Sequence, residues 1–278
     1  LSGTAEIFTA GNLSLVAEQN LTLSGNTQVT GLANLNADII EVNGVIAVGG
    51  SAFLNAANGI TVTGDVSSLD SIALNSAGRV TVDASASLAT TGNIWLQGGQ
   101  GAIVSGLLLA ENNIGLQIIG DASISGELQS GNTTNIDATG AILHSGTLLS
   151  GNSVGITGSA INIGGSISTN DVLSIQALTG SAEISGNLLA DGATALVADA
   201  GDVRLAANAI LGSNAGIEIN SAGLIENAGL ITALDGLQLT AQRELLNSGS
   251  RYCLVGCYRD IQRFISLSTK HYPKRLIV

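Results

Sequence analysis

Apolar residues along this chain come in short pulses, apolar-x-apolar, and many follow an Asn, Asp or Gly turn. Aligning the second apolar residue of one pulse per set gives Leu15, Leu35, Leu54, Leu74, Leu96, Leu116, Ile136, Ile156, Ile175, Leu196, Ile219 and Leu239. The intervals run from 19 to 23 residues and most are 20, within the range of solenoid repeats. The turn before this anchor recurs as Asn12, Asp70, Asn93, Asn113, Asn132, Asn152, Asp171, Asp191, Asn214 and Asp235.

Each repeat carries two further pulses. Ile72-Ala73-Leu74 is followed by Val80-Thr81-Val82 and then Leu88, and Ile114-Gly115-Leu116 by Ile124 and then Leu128. Alternation with period two marks a half-buried strand, and the i, i+3, i+4 spacing of a helix is nowhere sustained over residues 1–247. Gly, Asn, Asp and Ser fill the intervals, where the chain must turn. Three short strands and three corners per repeat describe one triangular rung. The pattern therefore predicts an all-β fold over residues 1–247, a parallel β-helix solenoid of about 12 rungs. Rungs stacked ~4.8 Å apart make a rod roughly 55 Å long. The crossover preference of parallel strands leads us to expect right-handed coiling. A single rung buries too little apolar surface to offset its chain entropy, so stability is expected to be cooperative along the stack.

Composition fits such a stack. There are 37 glycines, one Pro and no Met in 278 residues, with 45% apolar, 3% aromatic and 11% charged residues. Low Pro suits a body whose N–H groups are needed for ladders. Few aromatic residues suit a narrow core of Ala, Val, Ile and Leu. Low charge with high apolar content excludes a disordered chain. No apolar run approaches the ~18 residues of a membrane helix. The chain begins at Leu1 without a basic, apolar leader, so it is expected to be a fragment of a longer protein.

The net charge of -12 is unevenly spread, because Arg79 and Arg204 are the only basic residues before Arg243. An acidic body argues against nucleic acid as a partner, since phosphate binding needs clustered Lys and Arg. The body contains no Cys, and stacked ladders remove the need for disulfides.

The Gly-Asn turns, the apolar-x-apolar pulses and stretches such as AGRVTVDASASLATTGNIWLQG at 77–98 resemble the central repeats of filamentous haemagglutinin-like proteins. Those are exported partners of bacterial two-partner secretion, and include adhesins and contact-dependent inhibition proteins. The resemblance spans residues 1 to 247 and lies in period, turn chemistry and composition together. It implies a β-helical shaft at the cell surface, and an outer-membrane two-partner secretion transporter for the parent protein. The family's secretion domain has no counterpart here.

Asp199 and Asp202 flank Gly201 and form the nearest approach to a carboxylate pair for glycoside chemistry, but they fall at an expected corner. Arg79 and Arg204 read as isolated, outward and solvated. His144 has no sequence neighbour suited to metal or base chemistry, and reads as an outward residue beside a strand. No catalytic, cofactor-binding or metal-binding residue is assigned, and no cofactor. Gly98-Gly99 and Gly164-Gly165 occur without the calcium-binding G-G-x-G-x-D nonapeptide, and Thr61-Val62-Thr63 does not recur as an ice-binding array would require. Asn12, Asn20 and Asn132 match the glycan-acceptor pattern, although a repeat rich in Asn and Thr produces such matches by chance. Ala110-Glu111-Asn112-Asn113 is similar to the tetrapeptide preceding toxins in contact-dependent inhibition proteins, yet it sits at the regular turn before Leu116.

Residues 248–278 form a basic, non-repetitive tail. The last 36 residues hold all three Tyr, Cys253 and Cys257, and Pro273. Cys257, Tyr258, Ile261, Phe264 and Ile265 have helical spacing. A helical cap over the last rung and a truncated or out-of-frame gene end both account for this change of composition.

The function expected from the sequence is that of a structural shaft, without catalysis, of an extracellular or surface-exposed bacterial adhesin. Its partner would be a receptor or glycan on a host or neighbouring cell. The stalk of a contact-dependent growth inhibition toxin and a carbohydrate-active β-helix enzyme are the alternatives.

Overall fold

The computed structural model describes residues 2, 3 and 6–255, with side chains from 6 to 252. The described residues form an all-β, parallel solenoid of about twelve turns and contain no helix. Each turn lays one strand on each of three faces. In one turn the strands are Ile94–Gly98, Ala102–Val104 and Leu107–Ala110. Every strand pairs in parallel with its counterpart one turn away, as Ile94–Gly98 does with Ile114–Ile118. The third face is a separate sheet of 13 strands. The first and second faces join as one 23-stranded sheet, because Ala33–Val42 and Ala52–Val62 run through the corner between them without a break.

The expected register is the observed one. Leu15 pairs with Leu35, Leu35 with Leu54 and Leu54 with Leu74. The column continues through Leu96, Leu116, Ile136, Ile156, Ile175, Leu196 and Ile219 to Leu239. From Leu35 to Ile219 these anchors are buried, whereas Leu15 and Leu239 are only partly so. The second face adds Val62, Val82, Val104 and Ile124 to the core, and the third adds Val66, Leu88, Leu108, Leu128 and Leu148. Columns of inward side chains that pack from rung to rung are the cooperative unit of a repeat stack.

Where the anchor spacing stretches, the extra residues sit at corners. Most turns pass from second to third face through two residues, such as Ser105 and Gly106 between Val104 and Leu107. The turns after Val82 and after Leu205 need four, 83–86 and 206–209. Each closes on itself, with Ala86 N–H donating to Asp83 O and Ala209 N–H to Ala206 O, both at 3.0 Å. The strands keep register because the insertion is absorbed where no ladder is made.

Not every inward position is apolar. Ser68, Thr90, Ser130, Ser150, Thr169 and Ser213 are buried at the ends of third-face strands. Ser68 Oγ donates 2.6 Å to Gly50 O, and Ser150 Oγ donates 2.6 Å to Asn132 O. These inward hydroxyls find partners in corner carbonyls or, as Ser130 Oγ with Ser150 Oγ at 3.1 Å, in one another.

Strand Ser250–Val255 pairs in register with Leu230–Asp235, so repeat pairing runs past the expected boundary at residue 247. The helix expected from Cys257 to Ile265 lies outside the described residues, as do Pro273 and the side chain of Cys253.

Candidate functional site

The first face carries the most organised exterior. Because side chains alternate across a strand, the residue after each buried anchor points outward. These residues are Asn36, Asn55, Asn75, Gln97, Gln117, Asp137 and Thr157, paired turn by turn. Six of the seven are therefore amides or a carboxylate, at intervals of one rung, ~4.8 Å.

The column divides into two parts. Asn36, Asn55 and Asn75 satisfy one another: Asn55 Nδ2 lies 3.2 Å from Asn34 Oδ1 and from Asn36 Oδ1, and Asn75 Nδ2 donates 3.0 Å to Asn55 Oδ1. Gln97, Gln117 and Asp137 are exposed and make no side-chain hydrogen bond within the described residues. Along one flank of the column runs a groove of about 900 Å³, with Ala37, Ala56, Ala77, Ile118 and Ala138 among its walls. Among the described residues, Asp137 is the only charged one lining it.

On the other flank stand the outward residues two positions earlier. Phe53, Ala73, Trp95, Gly115, Asn135 and Gly155 pair in sequence. Trp95 is 46% exposed and its ring lies over Gly115, where an added Cβ would overlap ring carbons Cε3 and Cζ3. Asn135 leans the same way, with Oδ1 2.8 Å from the position of a Cβ on Gly155. From Trp95 on, large residues thus alternate with Gly along this line, and Trp95 and Asn135 each cover the Gly one rung on.

Sequence reasoning passed over Gln97, Gln117 and Trp95. The signal was present, since the residue after almost every anchor is polar. It became a site only when the ladder put those residues in line.

The candidates taken from sequence are dispersed. Asp199 and Asp202 lie at the expected corner, and both are engaged. Asp199 Oδ2 accepts from Gln176 Nε2 at 2.7 Å. Asp202 Oδ1 accepts from Leu224 N–H at 2.9 Å, and Oδ2 from Arg204 at 2.7 Å. Arg79 is exposed, as expected, in a shallow hollow it shares with Asp121 and Glu183. Arg204 points outward but is not isolated. It also reaches Glu183 at 3.5 Å and Glu226 at 3.6 Å, because ladder pairing stacks Glu183, Arg204 and Glu226 in one column.

His144 is corrected outright. It is fully buried, while Leu143 beside it is 48% exposed. Ladder pairing sets His144 between Ile124 and Ile163, in the column that holds Val82 and Val104, so the register overrides the polarity of the residue. Nε2 lies 3.3 Å from Ser166 O and Nδ1 has no partner. Burial holds its pKa below the usual 6.5, with the Ser166 bond opposing in part.

Among the glycan-acceptor matches, Asn12 Oδ1 accepts from Leu32 N–H at 2.9 Å. Asn20 opens the second-face strand Asn20–Leu23. Asn132 stands between Asn113 and Asn152 in an amide ladder at the first-face corner, at 3.0 and 3.1 Å. Glu111 and Asn112 are an ordinary corner of the same kind. Among the described residues, no three His, Cys, Asp or Glu side chains gather as a metal-ligand set.

Comparison with known proteins finds no matching family model, curated protein or solved structure.

Proposed function

We propose that this coil is the structural shaft of a surface-exposed or secreted bacterial adhesin of the haemagglutinin-like kind, carrying no catalytic centre of its own. One observation supports this most directly. The anchor column from Leu15 to Leu239 is continuous, so the molecule is built as a rod whose length is its main property. Asp199 and Asp202, the pair most suggestive of glycoside chemistry, hold a corner and an arginine in place, which argues against the enzyme reading. The parent protein would leave the cell through an outer-membrane two-partner transporter and meet a receptor or glycan on another cell.

The test is surface labelling of intact source cells with antibody raised against residues 6–255, with and without external protease. Labelling of unpermeabilised cells, lost after shaving, is the expected result. Labelling only after permeabilisation would sink the proposal. Coding sequence for a nuclease or pore-forming domain downstream would convert the shaft from that of an adhesin to that of a toxin carrier.

A further inference from the structure

The first face carries an arrangement that a passive rod does not require. The chain's single Trp is half exposed beside Gln97 on one strand, with Gln117 and Asp137 following one and two rungs on. Structural amide ladders exist on the same column, at Asn36, Asn55 and Asn75, and there the amides bond to one another. Gln97 and Gln117 do not, so their donors and acceptors are turned wholly to the outside.

From this geometry we infer that Trp95, Gln97, Gln117 and Asp137 form a binding subsite for an uncharged glycan chain lying along the rod axis. The indole offers a flat apolar surface for the C–H face of one sugar ring. Each Gln offers both a donor and an acceptor, the pairing that a sugar hydroxyl needs on its edge. Spacing by rungs of ~4.8 Å presents these groups as a linear series, suited to a polymer more than to a compact ligand. The groove beyond the amides gives neighbouring substituents an apolar-walled recess.

Charge and backbone narrow the class of ligand. Among the described residues neither Lys nor Arg lines the groove, and Asp137 adds negative charge, so an anionic polysaccharide or nucleic acid would be repelled. The backbone here is paired on both sides within the sheet, so an extended peptide has no free edge to add to.

The inference rests on the shaft reading only in taking the side of the coil as the surface a ligand meets. Surface labelling and the following titration can therefore fail independently. Cellohexaose, maltohexaose, laminarihexaose, mannohexaose and chitohexaose are titrated into the protein, with hexagalacturonate as the charged counterpart, while the emission of Trp95 is followed. At least one neutral hexasaccharide is expected to shift the emission saturably, and hexagalacturonate not to. The double variant Gln97→Ala/Gln117→Ala is expected to bind about tenfold more weakly, the equivalent of one to two lost hydrogen bonds. Its melting curve should match that of the parent, because neither side chain bonds within the described residues. Trp95→Ala, read by calorimetry, should lose binding, and Trp95→Phe should retain part of it. The inference is overturned by the absence of saturable binding for all five neutral sugars up to about 1 mM. Equal binding of hexagalacturonate, or binding unchanged in the glutamine and Trp95→Ala variants, overturns it as well.

Discussion

The indole of Trp95 lies on the backbone of Gly115, its ladder partner one rung further along. The ring can lie there because Gly115 carries no side chain, and Asn135 over Gly155 repeats the arrangement. Gly115→Ala should therefore lift the ring without touching the core. The expected cost is on the order of 1 kcal/mol, with a red shift of Trp95 emission and unchanged far-ultraviolet dichroism. Unchanged emission would mean that the ring does not rest on Gly115.

His144 makes stability depend on pH in a direction that can be stated. Its folded pKa lies below the unfolded value of 6.5 because burial disfavours the imidazolium. Below 6.5 the unfolded chain therefore binds a proton more readily than the folded one. The contribution of neutral His144 is full above that value, and is lost as pH falls towards the lowered pKa. The melting temperature should drop between neutral pH and about pH 5, and His144→Leu should flatten that slope relative to the parent. The same variant should melt higher at neutral pH, since it removes an unpartnered Nδ1 from the core. Identical pH slopes in parent and variant would refute the assignment.

Ile156 is at the middle of the anchor column, 1% exposed, between Ile136 and Ile175. Ile156→Ala should cost ~2–5 kcal/mol. Ile156→Asp should cost more, because a carboxylate would be buried without a partner. In a stack held by neighbour contacts the damage is local first. Limited proteolysis of Ile156→Asp is expected to cut near residue 156 and leave two resistant halves. Cleavage scattered evenly along the chain would argue against a quasi-one-dimensional stack.

Gly126 and Gly146 occupy one corner in successive rungs, and a Cβ on Gly146 would overlap Gly126 O. That atom is backbone and accepts from Thr147 N–H at 3.1 Å, so it cannot step aside cheaply. Gly146→Ala should destabilise by ~1–3 kcal/mol. Gly11→Ala, with open space around it, should change stability by less than about 0.5 kcal/mol. Equal melting temperatures for the two variants would show that the corner accommodates a side chain.

Arg204 touches three carboxylates, yet its side chain is 42% exposed. Arg204→Ala should cost no more than ~1 kcal/mol at low salt, and less at high salt. A larger, salt-independent loss would assign Arg204 a packing role.

The anchor positions were legible because the buried column demands an apolar residue at the same place in every rung. Corners were legible at Asn93, Asn113, Asn132 and Asn152 for a similar reason, since turn chemistry restricts the residues allowed. His144 was misjudged because side-chain polarity is a weaker determinant of direction than the period-two alternation set by Ile142. Of the partners of Arg204, Asp202 is two positions away, but Glu183 and Glu226 stand 21 and 22 positions away and only stacking brings them near.

By itself the sequence determined the period, the three strands per turn and the register of the anchors, because each follows from a local alternation repeated about every 20 residues. Tertiary structure alone decided which outward residues stand together. Trp95 and Gln97 are neighbours along one strand, but Gln117 and Asp137 join them only when successive turns stack. Stacking also decided which glycines lie beneath a neighbour and where spare residues go. These are relations between rungs, and a linear chain fixes them only once parallel ladders place residues some 20 apart ~4.8 Å from one another.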